Sequence, residues 1–106
     1  MKTKEQEVLK LIDDVLASFD LCVQTVGTAS GEAATALVER SSQCLILMLQ
    51  LYALCQQQPK KREIYFTESH LGHLIAALRA MTAGPAANEK KVIVKRILKG
   101  IYWALI

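Results

Sequence analysis

Apolar residues open a regular pattern at Val8, Ile12, Val15, Phe19, Cys22 and Val26, with spacings of four and three in alternation. Leu9, Leu16 and Val23 widen that stripe on one side, while Asp13, Asp14, Asp20 and Gln24 fall elsewhere. Such a pattern predicts an amphipathic helix with a near-heptad apolar seam. Thr3 followed by Gln6 has the spacing of a capping box. Gly27 supplies a stop, and the residues from Thr28 to Gly31 read as a short loop.

A second helix is predicted from Ser30 to about Gln57. Its projection is apolar nearly all round. Glu39, Gln43, Gln50 and Gln57 make one narrow polar strip. Leu37, Cys44, Met48, Leu51 and Cys55 share a face, with Val38, Leu45, Leu49 and Tyr52 beside it. Ile46 and Ala53 flank the polar strip on one side, and Leu47 and Leu54 flank it on the other. A helix of this kind is normally buried all round. That predicts either a central helix surrounded by the other three or a helix covered by a second subunit. At 1.5 Å per residue it spans ~40 Å, against a radius of gyration of ~13 Å for a globule of this length. The mismatch leads to the expectation of a homodimer.

Pro59 ends that helix, and the segment from Lys60 to Phe66 is a basic, then aromatic, connector with room for a short extended stretch. Thr67 is a good N-cap, with Glu68 favourable in the first turn. Leu71, Leu74, Ile75, Leu78 and Met81 then form a stripe that runs to the Gly84-Pro85 terminator. Asn88 is the expected cap of a last helix carrying Val94, Ile97, Leu98, Ile101 and Leu105 at helical spacing. Lys91, Lys95 and Lys99 line one side of it, with Lys90 and Arg96 nearby. No internal repeat and no linker interrupts the chain, so residues 1–106 read as one domain. The predicted fold is all-α, with three to four helices in an antiparallel bundle.

Composition excludes several classes. The 106 residues are 52% hydrophobic and 22% charged, which rules out a disordered or low-complexity chain. With 5 Gly and 2 Pro, a turn-rich β-sandwich is also excluded. Ser41 to Pro59 carries no charge, but its dense apolar part, Cys44 to Cys55, reaches only about 18 Å as a helix. A hydrocarbon core is ~30 Å thick, so no membrane span is expected. The first residues mix acid and base without an apolar run behind them, which argues against a secretory signal. Three cysteines and no such signal lead to the expectation of a reducing cytoplasm and free thiols.

Candidate chemistry is sparse. Cys22, Cys44 and Cys55 lie among apolar residues, which raises a thiol pKa and suits packing better than nucleophilic or redox work. His70 and His73 stand at i and i+3, a spacing that can offer two imidazoles to one metal ion, but no third ligand is placed near them. Asp13 and Asp14 are adjacent and point apart on a helix. Gly27 and Gly31 follow no strand and form no phosphate loop. No catalytic, cofactor or metal site is expected, and the chain is read as a non-enzyme.

Charge is distributed unevenly. Residues 1–40 carry a net −3, residues 41–84 a net +2 and residues 85–106 a net +4. A basic last helix and the Lys60-Lys61-Arg62 run beside Tyr65 and Phe66 could contact nucleic acid, the alternative function. A small size, the absence of catalytic motifs and the long apolar helix from Ser30 to Gln57 also give the chain a likeness in outline. It resembles the small all-helical bacterial quorum-sensing anti-activators, those of the QslA type most closely. The resemblance implies a non-enzymatic dimer that binds a LuxR-type transcription factor and occludes its dimer interface. Apolar residues left over on the second helix, Ile46, Leu47 and Leu54, are the expected interface. Tyr52, Arg62, Tyr65 and Phe66 are its expected aromatic and arginine anchors.

Overall fold

The structure, a computed structural model, describes residues 4–26, 31–57, 66–83 and 87–105. Four helices account for nearly all of them: α1 (Lys4–Val26), α2 (Gly31–Gln56), α3 (Glu68–Ala83) and α4 (Ala87–Leu105). No strand occurs among the described residues. α1 begins one residue after Thr3 and ends one before Gly27, as the cap and stop signals require; both of those residues lie outside the described ones. α4 starts at Ala87, so Asn88 sits inside its first turn instead of capping it.

α1 is the hub. It packs against α2, α3 and α4, while α2 also meets α3 and α3 meets α4. The predicted seam of α1 does this: Val8, Ile12, Val15, Phe19 and Cys22 are all buried. From α2 come Cys44, Met48, Leu51 and Cys55, from α3 Leu74, Ala77, Leu78 and Met81, and from α4 Val94, Leu98 and Ile101. Side-chain pairings fix the directions. Thr25 of α1 meets Arg40 of α2, and Ser18 meets Cys44. Asp20 meets Lys91 of α4, and Gln56 of α2 meets Phe66 just ahead of α3. Leu16 lies near Lys95, and Ile12 shares a groove with Lys99 and Tyr102, so the sequence numbers run in opposite senses in both pairs and α1 is antiparallel to α2 and α4.

The molecule measures 45 × 28 × 18 Å. An 18 Å depth holds two layers of helices ~10 Å across, and no more. This corrects the expectation of a surrounded central helix. α2 is not enclosed, because two layers leave every helix a side facing water. The ~39 Å length of α2 fits inside the 45 Å long axis, lying alongside α1.

Side-chain hydrogen bonds satisfy polar groups near the end of α1 and at the start of α3. Thr25 is buried, donates its hydroxyl to the Leu21 carbonyl at 2.7 Å and accepts from the Arg40 guanidinium. α3 starts with a capping box in which histidine replaces the usual Glu or Gln. The His70 backbone N–H donates to Thr67 Oγ1 at 3.2 Å, and the Thr67 N–H donates back to His70 Nδ1 at 3.2 Å. Phe66 stands just before the cap and Leu71 four positions after it, the two places of a hydrophobic staple.

Candidate interaction surfaces

No reactive cluster is assembled. Among the described residues, no three His, Cys, Asp or Glu side chains gather where a metal ion could sit. Cys22, Cys44 and Cys55 are buried and unpaired. Burial pushes all three thiols up, Cys44 to about 12 and Cys55 to about 11. A hydrogen bond from Ser18 opposes the shift at Cys44, and the Arg40 charge opposes it at Cys22. Thiols held protonated in this way are poor nucleophiles. His70 caps α3, as described above, while His73 points outward. No helix among the described residues is long and apolar enough to cross a membrane.

What the surface does carry is apolar side chains: apart from Leu21 on α1, the large ones exposed among the described residues lie on α2 and α4. On α2, Val38 is 65% exposed, Ile46 48% and Leu49 46%. Their projection lies opposite the buried Cys44, Met48, Leu51 and Cys55 stripe. On α4, Val92 and Trp103 are 56% and 58% exposed, and Ile93 and Tyr102 are exposed beside them. Val92, Arg96, Lys99 and Trp103 are spaced by four, three and four, so they share one outward face. The rings of Tyr102 and Trp103 meet edge to face at 5.7 Å. This aromatic pair stays at the surface and does not dock into the core.

A shallow groove runs between α1 and α4. Ile12, Leu16 and Leu98 line it, with Asp13, Lys95, Lys99 and Tyr102 around them, and it holds about 260 Å³. Beside it, Lys91 forms an ion pair with Asp20. The Lys91 hydrogen bond and charge, helped by Lys95, hold the Asp20 carboxyl below the usual carboxylate range against a partial desolvation.

The residues expected at an interface separate on this framework. Ile46 is exposed as expected. Leu47, Leu54 and Tyr52 are half-buried and packed against the core, so they offer only part of their surface. Phe66 is 1% exposed, which corrects its assignment as a surface anchor. Its ring packs edge to face on Tyr52 at 5.5 Å, and its carbonyl accepts from Gln56 at 2.7 Å. Phe66 therefore closes the core between the end of α2 and the start of α3. Arg62 and Tyr65 lie outside the described residues. Val38, Leu49, Val92 and Trp103 were not among the expected interface residues, although the spacings of four, four and three from Val38 through Ser42 and Ile46 to Leu49 mark a second face of α2.

Comparison with protein-family models, with curated proteins and with solved structures finds no match to this chain.

Proposed function

We propose that this chain is a non-enzymatic protein-interaction regulator of the anti-activator kind. It docks on a transcription factor of the LuxR type and covers the surface through which that factor pairs with itself. The observation that supports this reading is the outer face of α4, where Trp103 and Val92 stand exposed around Arg96 and Lys99. Aromatic and arginine side chains concentrate binding energy at protein interfaces, and a helix face with apolar anchors at these spacings is suited to a partner's groove.

The same face favours one second reading. Lys95, Arg96 and Lys99 are exposed beside Trp103, which also suits single-stranded or duplex nucleic acid.

One experiment separates the two. The tagged chain is used to capture partners from its own organism's lysate, with and without nuclease and at two salt concentrations. Bound proteins are identified by mass spectrometry, and the purified partner is then titrated against the chain. Trp103 is the only tryptophan, so its emission reports directly on α4. A stoichiometric transcription factor that survives nuclease, shifts the Trp103 emission and is lost with Arg96→Glu supports the anti-activator reading. Capture that vanishes with nuclease and falls steeply with salt overturns it in favour of nucleic acid. Absence of any prey overturns both.

A further inference from the structure

The exposed face of α2 has a property that α4 lacks: it is uncharged and complementary to itself. From Ser41 to Gln57 the helix carries no charged residue. Thr35, Val38, Ser42, Ile46, Leu49, Ala53 and Gln56 are all exposed and recur every three or four residues, with Leu45 half-buried beside Ile46. Large and small side chains are placed symmetrically about a point between Leu45 and Ile46. Val38 lies as far before that point as Ala53 lies after it, and Ser42 as far before it as Leu49 after it.

We propose that α2 pairs antiparallel with α2 of a second copy of this chain, about a two-fold axis passing between residues 45 and 46. Val38 then faces Ala53 of the partner subunit, and Ser42 faces Leu49 of the partner subunit. Leu45 and Ile46 meet their own counterparts at the axis. Away from the axis, the large Val38 and Leu49 each sit over a small side chain, an arrangement that fills space without strain. An isologous two-fold contact also closes on itself.

Charge and size select this occupant. Charge complementarity gives an interface its specificity, and from Ser41 to Gln57 the helix offers none; Glu39 at one end and Arg79 of α3 beside Ser42 are charges at the margins of the face. A second copy brings the same neutral central stretch. Parallel pairing would stack Val38 on Val38 and Ser42 on Ser42, and would bring Glu39 against Glu39. Antiparallel pairing holds the two Glu39 side chains about 20 Å apart along the axis. About this axis residues 35–56 overlap, and a strip ~33 Å long and ~10 Å wide covers roughly 330 Å² per copy, under half of one side of a standard interface of ~800 Å². A contact of that size belongs to the weak, reversible class, and it does not depend on what α4 binds.

Sedimentation equilibrium over the micromolar to submillimolar range, combined with cysteine cross-linking, tests this. The native thiols are buried and stay silent toward a mild oxidant. The expected result is a reversible monomer–dimer equilibrium, weakened at least tenfold by Leu49→Asp with helicity unchanged. The Ile46→Cys chain should cross-link to itself readily. The Val38→Cys chain should cross-link only when mixed with the Ala53→Cys chain. A chain that stays monomeric throughout overturns the proposal. So does self-cross-linking of Val38→Cys as fast as that of Ile46→Cys, which would mean parallel pairing. Loss of the dimer leaves capture of a protein partner through α4 intact, so the two readings fail separately.

Discussion

Leu49 and Leu51 stand two positions apart on α2 and meet opposite surroundings. Leu51 is fully buried, and Leu49 is nearly half exposed. The same truncation, leucine to alanine, should therefore give two very different results. At Leu51 it removes a side chain whose burial contributes roughly 1.5–3 kcal/mol, and it leaves a cavity between α1 and α2 that the helices cannot fully close. The expected cost is about 3 kcal/mol, within the 2–5 kcal/mol typical of buried leucines. A domain of this size has a total stability of about 5–15 kcal/mol, so this is a large fraction of it. At about 4–8 °C per kcal/mol, Tm should fall by roughly 12–24 °C. At Leu49 the same change should stay within about 0.5 kcal/mol, because no core contact is lost. Urea unfolding followed by circular dichroism at low protein concentration measures both. Raising the concentration should then open a gap between wild type and Leu49→Ala only, since a dimer stabilises the fold by mass action. Equal costs at low concentration would refute the two-layer arrangement, as they would mean that α2 is buried on both sides within a single chain.

Thr67→Ala should destabilise the fold by about 1 kcal/mol, because it removes one half of the capping box at the start of α3, and Thr67→Ser should restore most of the loss; urea titration distinguishes them. Cys22, Cys44 and Cys55 should fail to react with a thiol reagent at pH 8 in the native state and react together on unfolding. Their raised thiols hold protons that the unfolded chain releases, so stability is intact below about pH 9 and falls as pH rises toward the folded values of about 11 for Cys55 and about 12 for Cys44. Thermal melts across that window check the sign. Asp20 has a folded pKa below its unfolded one, so its contribution is present above the ordinary carboxylate range and is lost as pH falls through the folded value; Asp20→Asn should flatten that part of the acid limb and lower stability slightly at neutral pH.

The helices were legible because local signals and burial agree. Val8, Ile12, Val15, Phe19 and Cys22 repeat on one face of α1 and are all buried, and Thr67 caps where its hydroxyl predicts. α2 was legible as a helix and illegible as a packing unit. Its apolar residues surround it, so periodicity picks out the Cys44–Met48–Leu51–Cys55 stripe but cannot say how many other sides are covered. The depth of the bundle decides that, and depth is set by how α3 and α4 pack, not by any pattern in α2. Phe66 misled for a related reason. An aromatic after a basic run reads as a surface anchor, but its place just ahead of the Thr67 cap commits it to the core. The role of His70 was not legible because its spacing to His73 points toward a metal pair, one without a third ligand, while its i,i+3 spacing from Thr67 makes it the return partner of the cap.

The central place of α1 bears on how the chain reaches its fold. α1 precedes the other three helices in chain order, so it is synthesised before the helices that cover its seam. α2 follows after only four residues, and the α1–α2 hairpin closes a short loop at small entropic cost. Contacts of α1 with α4 join residues about 70 apart, as in the Asp20–Lys91 pair, and must wait for α4. Assembly should then proceed by hairpin formation followed by docking of α3 and α4 together. Until that docking, Val8, Ile12 and Val15 are the surface most exposed to aggregation or to a chaperone.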